Sequence, residues 1–89
     1  MYRLYETVRS SQDGEIVLDI RLGQMFRLNL AGSRILGLLK SGCDESDIVD
    51  DLSREFDIRR DLAEADVREF ILLLKQHGLI EQSNLGIKP

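Results

Sequence analysis

The 89 residues predict an α+β fold, a three-stranded antiparallel sheet at the N-terminus followed by three helices, and three observations carry that reading. Apolar residues alternate at a period of two as far as Leu28 and recur at helical spacing beyond it. Short turns containing Gly and Asp separate the alternating runs. Residues suited to capping stand at the head of each helical run.

Leu4–Arg9 alternates, with Leu4, Glu6 and Val8 against Tyr5, Thr7 and Arg9, and predicts the first strand. The segment S-S-Q-D-G (Ser10–Gly14) is a turn with Asp-Gly chemistry. Glu15–Ile20 predicts the second strand, rich in β-branched residues, with Ile16, Leu18 and Ile20 on one face and Val17 on the other. Arg21–Gly23 turns the chain again, and Gln24–Leu28 returns as a third strand with Phe26 and Leu28 inward and Met25 and Arg27 outward. Connections this short predict a meander.

Asn29 caps the first helix, which runs to about Lys40 and is closed by Gly42. Asp44 caps the second, in which Ile48, Val49, Leu52 and Phe56 repeat at helical spacing. Asp61 and Glu64 form a capping-box-like D-x-x-E at the head of the third, which stops at His77-Gly78. At roughly 100° per residue, Ala63, Val67, Phe70, Ile71 and Leu74 share one stripe of that helix, while Leu72 and Leu73 point off it on opposite sides. Leu79–Glu81 adds a short extended stretch, and Ser83–Pro89 is expected to fray. Three helices with short turns beside a small sheet make a winged helix-turn-helix outline, which by itself decides no function.

Composition removes several function classes. With 43% hydrophobic and 31% charged residues the chain reads as an ordinary globular domain, and no apolar stretch approaches the length of a membrane span. Residues 1–10 lack the apolar core of a secretory signal, and a single cysteine, Cys43, makes no internal disulfide; both predict a cytoplasmic protein. The net charge is −4, and residues 44–57 hold seven carboxylates against Arg54 alone. The third helix sets Asp61, Glu64, Asp66 and Glu69 against Arg68 and Lys75 up to its end. Duplex affinity needs Lys and Arg to neutralise phosphates, so a nucleic acid is not the expected partner. One histidine, His77, and one cysteine supply neither a catalytic constellation nor a metal ligand set, and no glycine-rich phosphate loop is present. Catalysis, cofactors and metals are therefore not expected.

What remains is a strand edge, Gln24–Leu28, beside a helix with spare apolar surface, the arrangement that captures an extended peptide. An uncapped edge can also pair with itself, so a monomer or a weak homodimer is expected. Docking of a basic partner on the acidic second helix, and a degenerate transcription factor, are the competing readings.

The run D-G-E-I-V-L-D-I-R-L-G-Q-M-F-R-L-N-L-A-G-S-R-I-L-G-L-L (Asp13–Leu39) resembles the PqqD-like family, with Asp19, Arg21, Gly23, Phe26, Leu28, Asn29, Gly32, Ile35 and Leu38 at matching positions. D-I-V-D-D-L-x-x-E-F-D (Asp47–Asp57) is similar to the family's second helix and Ala65–Ile80 to its third, so the resemblance covers roughly residues 4–81. Gly37 departs from it, standing where the family often has Trp. The resemblance implies a peptide recognition domain over residues 1–82, with residues 83–89 a flexible tail. It implies binding of the leader of a ribosomally made precursor peptide as an antiparallel strand on the third strand, against the third helix. Carried onto this sequence, the resemblance makes Gln24, Met25, Phe26, Arg27 and Leu28 the edge, and Asp66, Phe70 and Leu73 the helical flank, with His77 one turn beyond. It further implies presentation to a leader protease or other modifying enzyme. Stand-alone copies of this length resemble those of lasso-peptide systems, and also the peptide chaperone that serves a radical enzyme in coenzyme PQQ synthesis.

Overall fold

The computed structural model describes residues 2–82, so the expected fraying of Ser83–Pro89 lies outside the described residues. The chain runs β1 (Tyr2–Leu4), β2 (Val8–Ser10), β3 (Ile16–Asp19), β4 (Gln24–Arg27), α1 (Leu30–Lys40), α2 (Glu45–Phe56), α3 (Arg60–Gln76) and β5 (Ile80–Gln82). Strands β2, β3 and β4 form an antiparallel meander in that order, and β1 pairs antiparallel with β5 in a separate two-stranded sheet. The α+β class and three helices stand as the sequence predicts.

The first strand departs from the expectation. Leu4–Arg9 is not one strand of the meander but two strands broken by a turn, closed where the Val8 N–H donates to the Tyr5 carbonyl at 3.0 Å. Tyr2–Leu4 pairs instead with residues nearly eighty positions away, Tyr2 opposite Gln82 and Leu4 opposite Ile80. The alternating pattern is the same whichever partner a strand finds, so period alone does not reveal the break.

In the β2–β3 turn Asp13 accepts from the Ser11 hydroxyl at 2.6 Å and the Glu15 N–H at 3.0 Å, bonds that hold its carboxyl below the ordinary value. Gly14 has φ +78°, and a Cβ there would stand 2.7 Å from Ser33 Oγ, so the turn packs directly on the start of α1. Across β3 the parity matches the sequence reading: Val17 faces the core, while Leu18 and Ile20 face solvent. Asp19 shares the inward side and is fully buried. Its Oδ1 accepts from the Arg21 N–H at 3.1 Å, and its Oδ2 lies 3.7 Å from the Arg21 guanidinium without a hydrogen bond.

Asn29 and Asp44 cap α1 and α2, their side chains accepting from the N–H groups of Gly32 (2.7 Å) and Asp47 (2.9 Å). The capping box at Asp61 and Glu64 does not form. Helix α3 begins at Arg60 with Arg59 as an N-cap that makes no side-chain cap bond. Asp61 is already inside the helix and accepts from the Arg59 guanidinium, and Glu64 pairs with Arg68 at 3.9 Å. The Asp61 carboxylate is held instead by the Arg59 guanidinium and by the N–H of the next residue, Leu62, at 3.0 Å. The end of α3 is as expected: Gly78 has φ +68°, its N–H donates to Lys75 O, and the Leu79 N–H donates back to Leu74 O at 2.9 Å.

The helices close on one core whose most enclosed side chains are Val17, Ile35, Leu36, Ile48, Leu52 and Val67. Ala63, Val67, Ile71 and Leu74 of the α3 stripe are buried and Phe70 is half-buried. Arg34 joins α1 to α2 through a bidentate pair with Asp51 (2.8 and 2.9 Å), which holds the Asp51 carboxyl below the ordinary value. Three of the seven carboxylates of the acidic run meet an arginine, for Asp50 also pairs with Arg60 and Glu55 lies 3.5 Å from Arg34.

Candidate functional site

Strand β4 is the edge of its sheet, bonded only to β3. The Leu28 N–H donates to the Glu15 carbonyl at 2.7 Å, and Phe26 opposes Val17 and Gln24 opposes Asp19 in the same register. Hydrogen-bonded and non-bonded pairs alternate along an antiparallel ladder, so Gln24, Phe26 and Leu28 turn their main-chain groups toward β3. Met25 and Arg27 therefore direct an N–H and a C=O each toward the free edge, four groups in all.

Beside that edge runs a groove between the β4–α1 junction and α3. Its first part, about 260 Å³, is lined by Phe26, Arg27, Leu28, Asn29, Phe70, Leu73, Leu74, His77 and Leu79. The Phe26 and His77 rings meet across it at 4.8 Å between centroids, tilted by 55°. The second part, about 230 Å³, adds Ala31, Gly32, Ile35, Asp66 and Glu69, and shares Asn29, Phe70 and Leu73 with the first. Close approach of α1 to α3 depends on Gly32, where a Cβ would lie 2.9 Å from the Phe70 ring.

Of the residues singled out from sequence, Phe26, Arg27, Leu28, Phe70, Leu73 and His77 meet in the first cleft, and Asp66 with Phe70 and Leu73 in the second. Met25, 71% exposed, lines neither and stands on the edge itself. Gln24 is exposed at the start of β4 and lines neither cleft. Leu73 is 46% exposed and lines both clefts, whereas Leu72, 52% exposed, lines neither. Sequence reasoning passed over Asn29, Leu79 and Glu69. Asn29 read only as a cap and Leu79 only as the start of an extended stretch; each lines the groove because of where the next element folds back. Among the described residues no three His, Cys, Asp or Glu side chains gather, and no helix is long and apolar enough to cross a membrane.

Residues 14–80 match the family model of coenzyme PQQ synthesis protein D (PqqD). The chain belongs to the PqqD family. Two solved structures resemble this PqqD-family domain over nearly its whole length. One is a lasso peptide synthetase B1 complexed with the leader peptide, with a TM-score of 0.83 and 26% identity over 91% of this chain and 98% of that one. The other is TbiB1 in complex with the TbiA(beta) leader peptide, with a TM-score of 0.82 and 29% identity over 98% and 99%. No protein of curated function matches the chain.

Proposed function

We propose that this PqqD-family domain binds the leader of a ribosomally synthesised precursor peptide and presents it to a maturation enzyme, a leader protease or other modifying enzyme, in lasso-peptide biosynthesis. The leader adds as an antiparallel strand to β4 and lies against α3. The single observation that carries this is the free edge of β4 opening directly onto the groove. The likeness to two chains solved with leader peptides supports it. On this reading the domain is a non-catalytic cytoplasmic binding module, a winged helix-turn-helix whose wing edge receives a peptide rather than a nucleic acid.

Magnitudes say how the binding divides. Four main-chain bonds at roughly 0.5–1.5 kcal/mol each contribute about 2–6 kcal/mol. Micromolar affinity takes about 8 kcal/mol, and ordering a flexible peptide costs about 2–5 kcal/mol more. Each large apolar side chain buried in the clefts contributes about 1.5–3 kcal/mol. The clefts are thus as necessary as the edge. The acidic α2 is a weaker docking candidate, because Asp50, Asp51 and Glu55 already meet Arg60 and Arg34.

Adding the leader of the candidate precursor is expected to slow exchange of the Met25 and Arg27 amides and to shift residues 66–77 in the same titration. Leu73→Glu, at an exposed position, is expected to abolish binding while leaving the circular dichroism spectrum unchanged. A folded Leu73→Glu protein with wild-type affinity, or shifts confined to residues 44–57, overturns the proposal.

A further inference from the structure

The groove is apolar at one end and acidic at the other. Asp66 and Glu69 line the second cleft, together with Phe70 and Leu73 and no lysine or arginine. One helical turn apart on the same face of α3, these like charges disfavour one another. Elsewhere on α3 the carboxylates are matched, Asp61 by Arg59 and Glu64 by Arg68, but among the described residues neither Asp66 nor Glu69 has an ion-pair partner. The groove therefore has a charge that a bound chain is placed to complement.

We infer that the α1 end of the groove takes a lysine or arginine of the bound peptide, placed N-terminal to the apolar residue that fills the first cleft. The direction follows from the strand. β4 runs from Gln24 toward Asn29, so a chain antiparallel to it passes the second cleft before it reaches the first. Residues that share one face of a strand are spaced by two, about 6.6–6.8 Å apart. The cation thus stands two or more residues upstream of the apolar anchor. This rests on the leader-binding reading and adds to it a chemical requirement on the leader.

The test pans a display library of random 14-residue peptides against the wild-type chain and against the double variant Asp66→Asn/Glu69→Gln. Binders are placed by their effect on the Met25 and Arg27 amides. Peptides carrying Lys or Arg upstream of an apolar anchor are expected to dominate on wild type and to lose that bias on the variant. Individual binders should weaken about two- to thirtyfold on the variant, the range two partly exposed ion pairs supply. Groove binders with no basic bias, or with the same bias on both proteins, overturn the inference and leave leader binding standing. So does a variant that binds normally but melts earlier, since the carboxylates would then serve only the N-terminus of α1, whose own first turn has no acidic residue. Failure to recover any peptide that perturbs the β4 edge overturns both readings.

Discussion

Gly32 and Phe70 show how one missing carbon shapes the groove. Glycine within a helix costs about 1 kcal/mol relative to alanine, so Gly32→Ala would stabilise an isolated α1. Here the added Cβ would stand 2.9 Å from the Phe70 ring and 3.2 Å from Asn29 Oδ1, and both groups line both clefts. The substitution is expected to lower stability by about 1–2 kcal/mol. Its larger effect should be on peptide affinity, reduced about tenfold as the ring is displaced, as read by chemical denaturation beside a binding titration. Asp51 makes the pH-dependent prediction. Arg34 holds its carboxyl below the ordinary carboxylate value, so the pair stabilises the fold fully above that value. The contribution disappears as pH falls through the depressed one. Asp51→Asn should be less stable than wild type at pH 7, and the difference should shrink at an acid pH well below the ordinary carboxylate value. Urea unfolding at the two pH values measures this, and a gap that widens in acid contradicts it.

At the scale of the element, the alternation along β4 separates two substitutions that look alike in sequence. Proline lacks the N–H that a ladder needs and is tolerated on an edge strand where that N–H faces solvent. Met25 directs its N–H outward and Phe26 toward Val17. Met25→Pro is expected to keep the fold and lose peptide binding, while Phe26→Pro breaks the β3–β4 pairing and destabilises the domain by about 3 kcal/mol or more. Thermal melts with a binding titration on each variant check the pair, and equal melting temperatures would refute the register given for the edge. Helix α3 was the most legible element, since its stripe and its two off-stripe leucines follow from periodicity alone. Its start was not, because the sequence shows that Asp61 can cap a helix but not that Arg59 will take its carboxylate.

For the whole molecule, the two ends of the described chain brace the groove. β1 covers β5, the Tyr5 N–H donates to the Leu79 carbonyl at 3.2 Å, Arg3 pairs with Glu81 at 2.9 Å, and Lys75 sits over the Tyr2 ring. Leu79, buried at 2% exposure, also lines the first cleft. Deleting residues 1–4 is expected to remove about 2 kcal/mol and lower the melting temperature by roughly 8–16 °C. Peptide affinity should fall with it, because the cleft wall formed by Leu79 loses its support. A truncated protein with unchanged melting temperature would show that the β1–β5 pair contributes nothing.

Period, caps and charge are properties of neighbours in the chain, and so the strands β3 and β4, the three helices, the Asn29 and Asp44 caps and the acidic run were determined by the sequence alone. Phe26, Leu28, Phe70, Leu73 and His77 could be nominated together for the same reason, each lying on a face that periodicity defines. Partners distant in sequence were decided only by the tertiary structure. The pairing of β1 with β5, the approach of Phe70 to Gly32, and the entry of Asn29, Glu69 and Leu79 into one groove all join segments whose local patterns are indifferent to which surface they meet. Long-range closure selects among the partners that local chemistry permits, and here that selection built the groove.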